Sequence, residues 1–72
     1  MIFMDTPDKE VQKAIISQAL KAIETEAFSL KMAGEAFKSI GLTDKAEEKA
    51  SQLATSMQLH SFYQKKLEEL LG

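Results

Sequence analysis

The sequence predicts an all-α protein, folded as a two-helix antiparallel hairpin that associates with itself. Gly41 divides the chain between Pro7 and Gly72 into two long stretches. Both stretches repeat apolar residues at alternating steps of three and four, which is the spacing of an amphipathic helix. A chain of 72 residues is close to the lower size limit for burying a core of its own. We therefore expect one domain over residues 1–72, assembled most simply as a homodimeric four-helix bundle.

Helix 1 is predicted over about residues 7–40. Thr6 is suited to cap its amino end, Pro7 to take the first helical position, and Asp8 to place negative charge in the first turn. Its main apolar positions form a heptad seam, which consists of Ile16, Leu20, Ile23, Ala27, Leu30, Gly34 and Phe37. Further apolar residues widen the seam on one flank: Ile15, Ala19, Ala22, Ala33, Ala36 and Ile40. One partner helix cannot cover so broad an arc, which predicts a helix inside a bundle.

Helix 2 is predicted over about residues 44–71. Gly41 is expected to end helix 1 in the left-handed conformation. Thr43 or Asp44 is then expected to cap helix 2, since Asp44 and Glu47 have capping-box spacing. Folding the chain back at Gly41 places residues whose numbers sum to about 84 opposite each other. The seam is predicted to continue through Ala46, Ala50, Leu53, Met57, His60, Gln64, Leu67 and Leu71.

Two groups of apolar residues are candidate interaction surfaces. One is the open end of the hairpin, which concentrates Phe62, Tyr63, Leu67 and Leu70 near a short apolar arm at residues 1–6. The other is the outer pair, Phe28 and Met32, which are four residues apart on an otherwise polar side of helix 1 and so touch. Single exposed apolar residues are ordinary, whereas an adjacent aromatic and methionine are typical of a contact surface. We expect a second hairpin or another protein to cover them.

Charge disfavours nucleic acid as the partner. The formal net charge is −2, and nine lysines are interspersed with eleven acids, without any arginine. Arginine supplies the bidentate guanine contact and the planar fork that fits phosphate. The alternative function is RNA or DNA binding by a bundle dimer, in which Lys13, Lys21, Lys31 and Lys38 would follow the phosphates.

Residues for catalysis or metal binding do not converge in the predicted hairpin. His60 is the only histidine, and Met57 stands where a Glu-x-x-His metal pair would need its acid. No acid is expected opposite His60: Glu24 should pair with Lys21, and Glu26 with a lysine of a partner chain. Glycine-rich phosphate loops are absent from the sequence. We expect no enzymatic activity, no metal and no cofactor. We interpret His60 as a half-buried structural histidine, or as a polar seam residue that fixes helix register together with Gln64.

The membrane is a further alternative that the sequence disfavours. The apolar start, residues 1–4, is too short for a signal peptide or a membrane span. Association with a membrane surface through this start and the open end would fit a basic polar face better than the acidic balance found here. The absence of cysteine fits the cytosol, so a cytoplasmic location is expected.

Small residues around the predicted turn follow a recurring spacing: Ala27, Leu30, Ala33, Gly34, Ala36, Phe37, Gly41, Ala46, Ala50 and Leu53. This spacing resembles one tetratricopeptide repeat, in which such residues pack two antiparallel helices, and the resemblance implies a helical hairpin. It covers about a third of the chain. No second repeat follows and the terminal proline is missing, whereas solenoids need several repeats. We interpret it as small-residue packing at a hairpin corner.

The function expected from the sequence is a small, non-enzymatic protein-interaction or regulatory role, carried by helix faces. Cysteine-free proteins of a single hairpin are frequent among phage and mobile-element accessory proteins. That class is expected from its frequency and not from any particular residue.

Overall fold

The computed structural model describes residues 7–72, which form two α-helices packed against each other. α1 spans Lys9–Ser39 and α2 spans Thr43–Leu71, with no strand among the residues described. The predicted all-α hairpin is confirmed at this level, and the helix bounds agree with the prediction to within two residues. The predicted cap at Thr6 and the apolar arm at residues 1–6 lie outside the described residues.

The amino end of α1 is capped by Asp8. Its backbone is extended, and its side-chain carboxylate accepts a hydrogen bond from the Val11 N–H at 3.0 Å. The Gln12 side-chain amide donates to the Pro7 carbonyl oxygen at 2.6 Å. Pro7 therefore precedes the cap instead of occupying the first helical position. The carboxylate of Asp8 satisfies a free backbone N–H and so sets the start of the helix.

The carboxyl end of α1 closes on Gly41, as predicted. Gly41 has φ of +84°, which is the left-handed conformation that glycine adopts without a steric penalty. The Leu42 N–H donates to the Phe37 carbonyl at 2.9 Å, and the Gly41 N–H donates to the Lys38 carbonyl at 3.1 Å. These two bonds form a Schellman closure that satisfies the last carbonyls of the helix.

The amino end of α2 differs from the prediction. Leu42 is the N-cap residue, no side chain caps the helix, and Thr43 is already helical. The expectation that Thr43 or Asp44 caps α2 is therefore wrong. The connection is too short for it, because the Leu42 carbonyl already accepts the first helical bond, from the Ala46 N–H at 3.0 Å. Asp44 instead places negative charge in the first turn, where it interacts favourably with the helix dipole.

The α1 side of the helix–helix contact follows the predicted seam. All seven predicted positions, from Ile16 to Phe37, are buried or half-buried. Leu20, which is 7% exposed, is the only buried apolar residue between residues 7 and 72. The hairpin therefore has a line of contact between two helices and almost no interior.

The α2 side of the contact is rotated relative to the prediction. Four predicted positions are exposed: Ala50, Met57, Gln64 and Leu71. The positions that face α1 step by three and then four and are Ala46, Lys49, Leu53, Ser56, His60, Tyr63, Leu67 and Leu70. Every second position of the predicted seam on α2 was thus placed one residue too late.

Two features of α1 account for the rotation. Position 34 carries a small residue, so the stem of Lys49 can lie against α1; even a Cβ added at Gly34 would be at an ordinary contact distance, 3.7 Å, from the Lys49 Cβ. Glu26 Oε1 accepts a hydrogen bond from the hydroxyl of Ser56 at 3.4 Å, and Ser56 is 4% exposed. A lysine can bury its aliphatic stem, and a serine its bonded hydroxyl. Polar residues can therefore face α1 although Ala50 and Met57 are more apolar.

The two helices form a single layer. The smallest extent of the chain is 14 Å, little more than the diameter of one helix with its side chains, roughly 10–12 Å. Both broad faces of the hairpin are therefore open, and the candidate sites lie on them.

Candidate interaction surfaces

Apolar side chains dominate the exposed surface of the hairpin. Among the described residues, ten large ones are at least 43% exposed: Val11, Ile15, Phe28, Met32, Ile40, Leu42, Met57, Leu59, Phe62 and Leu71. Soluble monomers rarely gather so many on so small a surface. Four of the ten lie on the first surface described below and two on the third, whereas the second surface is defined by a groove.

The first surface, called here the alanine face, lies on one broad side of the hairpin. It comprises Ile15, Ala19, Ala22, Ala33 and Ala36 of α1, the C-cap residue Ile40, and Leu59 and Phe62 of α2. Glu26 and Leu30 line a shallow groove together with Thr55 and Leu59, which places these flanks of the two helices on the same side. Ile15, Ile40, Leu59 and Phe62 are all exposed there.

The second surface, called here the groove face, is the opposite broad side. A groove of about 380 Å³ lies near the turn, lined in part by Lys31, Gly34, Lys38, Ala46, Glu47 and Ala50. Acids and lysines alternate along it, so it does not form a continuous basic surface. Lys13, a further candidate for phosphate contact, is 2.9 Å from Glu10.

The third surface is the outer pair. Phe28 is 65% exposed and Met32 is 47% exposed. Both lie away from the α1 seam, as their positions in the sequence predict. A single hairpin leaves them open to solvent.

The residues predicted for the open end are divided by the structure. Phe62 is exposed, whereas Tyr63, Leu67 and Leu70 are half-buried on the line that faces α1. The rings of Phe62 and Tyr63 meet edge to face with centroids 5.5 Å apart, and the Lys66 ammonium lies 5.6 Å from the Phe62 ring centre. Within one hairpin, Phe62 is therefore the member of this group most accessible to a partner.

No protein-family model matches the chain, and comparison with curated proteins and with solved structures finds no match. Its function has to be inferred from its own side chains. In the part of the chain that the structure describes, no helix is both long enough and apolar enough to cross a membrane.

The polar centre of the hairpin contains a contact that sequence reasoning missed. The imidazole Nε2 of His60 lies 2.9 Å from Glu24 Oε2. The expectation that no acid stands opposite His60 is therefore wrong, and Glu24 points toward α2 instead of pairing with Lys21. The antiparallel register contained a signal for this contact: residues whose numbers sum to about 84 lie opposite each other, and the numbers of Glu24 and His60 do so. Glu26 was expected to bind a lysine of a partner chain. In the hairpin it accepts a hydrogen bond from the Ser56 hydroxyl of its own chain.

Glu24 and His60 do not form a larger ligand set. Within residues 7–72, no three histidine, aspartate or glutamate side chains are placed to hold a metal ion together. Glu24 and His60 lie on facing sides of two helices and link them. We interpret this contact as one that fixes how the helices are aligned.

Proposed function

We propose that this protein is a non-enzymatic interaction protein that acts through its helix faces, and that it works as a self-associated hairpin. A homodimeric four-helix bundle is the simplest assembly. One observation carries the proposal: a single apolar residue is buried in the described chain, whereas ten large apolar residues are exposed.

The energetic argument rests on what covers those side chains. Burying one large aliphatic or aromatic side chain contributes about 1.5–3 kcal/mol. The alanine face alone presents four of them, Ile15, Ile40, Leu59 and Phe62. In proteins, most of the stability of a helix comes from tertiary packing, and a second layer supplies more of it. Covering this face with another hairpin converts a line of contact into a bundle core.

The outer pair gives the assembly a surface for a different protein. Phe28 lies on the side of α1 that faces away from both α2 and the alanine face. Self-association through the alanine face therefore leaves Phe28 accessible. A partner that packs an apolar side chain over Phe28 and Met32 would bind the assembled bundle, which suits a regulatory role.

The proposal is tested by the mass of the protein in solution. Size exclusion with light scattering at micromolar concentration should give at least twice the chain mass of 8.0 kDa. Dilution should lower that mass as the copies separate. A compact monomer across the whole concentration range would overturn the proposal.

The same preparation tests the nucleic-acid alternative. A gel-shift series with duplex DNA and with RNA at low and moderate salt should show no retained complex. A shift that weakens steeply with salt would indicate phosphate contacts instead. Charge reversal at Lys31 and Lys38 would then show whether the groove face makes them.

A further inference from the structure

The flank of α1 on the alanine face has a symmetric sequence. Its first seven positions lie one residue before each position of the intrachain seam, its eighth is the C-cap residue Ile40, and all eight step alternately by four and three. Read in order they are Ile15, Ala19, Ala22, Glu26, Ser29, Ala33, Ala36 and Ile40. Apart from the central Glu26 and Ser29, this order reads the same in both directions. The centre of the repeat lies between Ala27 and Phe28.

Such a stripe is complementary to a second copy of itself running in the opposite direction. In an antiparallel pair of helices, an a position of one packs against a d position of the other. Because the stripe positions step alternately by four and three residues, they are alternately d and a positions. Each pair of residues related by the symmetry therefore consists of one a and one d position. Ile15 then meets Ile40 of the second copy, Ala22 meets its Ala33, and Glu26 meets its Ser29. Alanines in the middle allow helix axes to approach to about 8 Å.

The flank of α2 on the same face supplies a second and independent observation. Its corresponding positions are Lys45, Glu48, Gln52, Thr55, Leu59, Phe62, Lys66 and Glu69. Pairing this stripe with itself in the antiparallel sense, about a centre at Met57, sets Lys45 against Glu69 and Glu48 against Lys66 of the second copy. All four charges then meet an opposite charge.

The two centres coincide in the folded hairpin. Glu24 and His60 are in contact, so residues whose numbers sum to about 84 lie side by side. The point between Ala27 and Phe28 is therefore level with Met57. One two-fold axis perpendicular to the helices satisfies the symmetry of α1 and the charges of α2 together. Each stripe is also about 100° around its helix from the intrachain seam, close to the right angle between neighbours in a four-helix bundle.

We propose that the alanine face binds a second copy of this chain about that axis, with α1 antiparallel to α1 and α2 antiparallel to α2. The proposal rests on the self-association through this face argued above and adds the pairing of the helices and their register. Glu26 has one carboxylate oxygen bonded to Ser56, and the Ser29 hydroxyl of the second copy lies opposite its carboxylate. The symmetry makes that contact twice.

Paired cysteines test this register directly, because the natural chain contains none. In Ala22→Cys/Ala33→Cys, the two new thiols of one chain lie about 16 Å apart along α1 and cannot bond within it. In the proposed dimer each faces the other type in the second copy, at the Cα separation of roughly 4–7 Å that a disulfide needs. Mild oxidation should convert most of the protein to a covalent dimer, seen on non-reducing gels.

Three control variants define the outcome. Ala22→Cys alone and Ala33→Cys alone should stay uncrosslinked, since like positions are far apart in the antiparallel register. In Ser17→Cys/Lys38→Cys the two cysteines are symmetric about the same point, between Ala27 and Phe28, but lie on the other side of α1. This variant should also stay uncrosslinked.

Efficient crosslinking of a single-cysteine variant would overturn the antiparallel register in favour of a parallel one. A non-covalent dimer in which Ala22→Cys/Ala33→Cys fails to crosslink would overturn this pairing of the helices while self-association stands. A monomer would overturn both.

Charge reversal tests the α2 contacts without cysteines. Glu48→Lys should raise the dissociation constant of the dimer about five-fold. The effect is small because the two symmetric pairs of Glu48 with Lys66 that are lost are exposed, and each contributes little. Adding Lys66→Glu should restore most of the affinity, although it also removes the contact of Lys66 with Glu69. These two positions are 18 residues apart on one helix, so rescue must act between chains. Failure of the second change to restore affinity would contradict the register.

Discussion

His60 Nε2 and Glu24 Oε2 are 2.9 Å apart, and this contact joins the middle of α2 to the middle of α1. One turn away, the Ser56 hydroxyl donates to Glu26 Oε1. Sliding α2 along α1 by one turn would separate both pairs. Apolar seams alone tolerate such shifts because the heptad pattern repeats, whereas polar pairs at a seam select one alignment. We infer that these two contacts serve mainly to set the register of the hairpin and contribute little net stability.

A double-mutant cycle on Glu24 and His60 measures that contribution. The coupling free energy from Glu24→Ala, His60→Ala and the double variant should be about 0.2–1 kcal/mol, since Glu24 is largely exposed to solvent. Urea unfolding at one fixed protein concentration gives the required free energies. Zero coupling would mean that the side chains do not interact in solution.

The overall hairpin could be predicted from the sequence because its signals are local. The left-handed residue at Gly41 and the α1 seam from Ile16 to Phe37 are both confirmed. Each depends on the residue types of one segment alone. The seam on α1 is unambiguous because a continuous line of apolar residues sets its phase.

The face of α2 could not be predicted in the same way, because two lines of residues satisfy the same spacing. One contains Ala50 and Met57, and the other contains Lys49 and Ser56. Hydrophobicity favours the first, yet the structure uses the second, because Gly34 and Glu26 on α1 accommodate the polar side chains. That choice depends on contacts between segments. The symmetric stripe on α1 becomes informative only after the intrachain seam has been assigned.

Gly34 and Gly41 should respond in opposite ways to alanine. Gly41→Ala should destabilise the fold by about 1–2 kcal/mol, because φ of +84° forces a left-handed conformation on a residue with a Cβ. Gly34→Ala should stabilise it by about 0.5–1 kcal/mol, because Gly34 lies inside α1 and its added Cβ meets neighbours at an ordinary 3.7 Å. Urea unfolding of the two variants at equal concentration provides the comparison. Destabilisation by Gly34→Ala would show that the helices are closer than described.

The adjacent leucines at the end of α2 distinguish the observed seam from the predicted one. Leu70 is half-buried against α1, whereas Leu71 is 65% exposed. Leu70→Ala should therefore lower the free energy of unfolding by about 1–2 kcal/mol, since most of a leucine's burial is lost. Leu71→Ala should change it by less than about 0.5 kcal/mol. A larger loss of stability in Leu71→Ala than in Leu70→Ala would support the seam predicted from the sequence, through Ala50, Met57 and Gln64.

The outer pair should matter for contacts beyond the bundle and not for folding. Phe28→Glu/Met32→Lys leaves the net charge unchanged and removes two exposed apolar side chains that do not lie on the α1 seam. Helicity by circular dichroism and the mass of the dimer should both persist, while any assembly larger than the dimer should dissociate. Gln58→Lys/Ser61→Glu provides a matched control, because it changes two exposed polar positions on α2 with the same zero change in net charge. Loss of helicity in the first variant alone would place Phe28 and Met32 in the core of the bundle. Loss of the dimer with helicity retained would make the outer side of α1, instead of the alanine face, the surface through which copies associate.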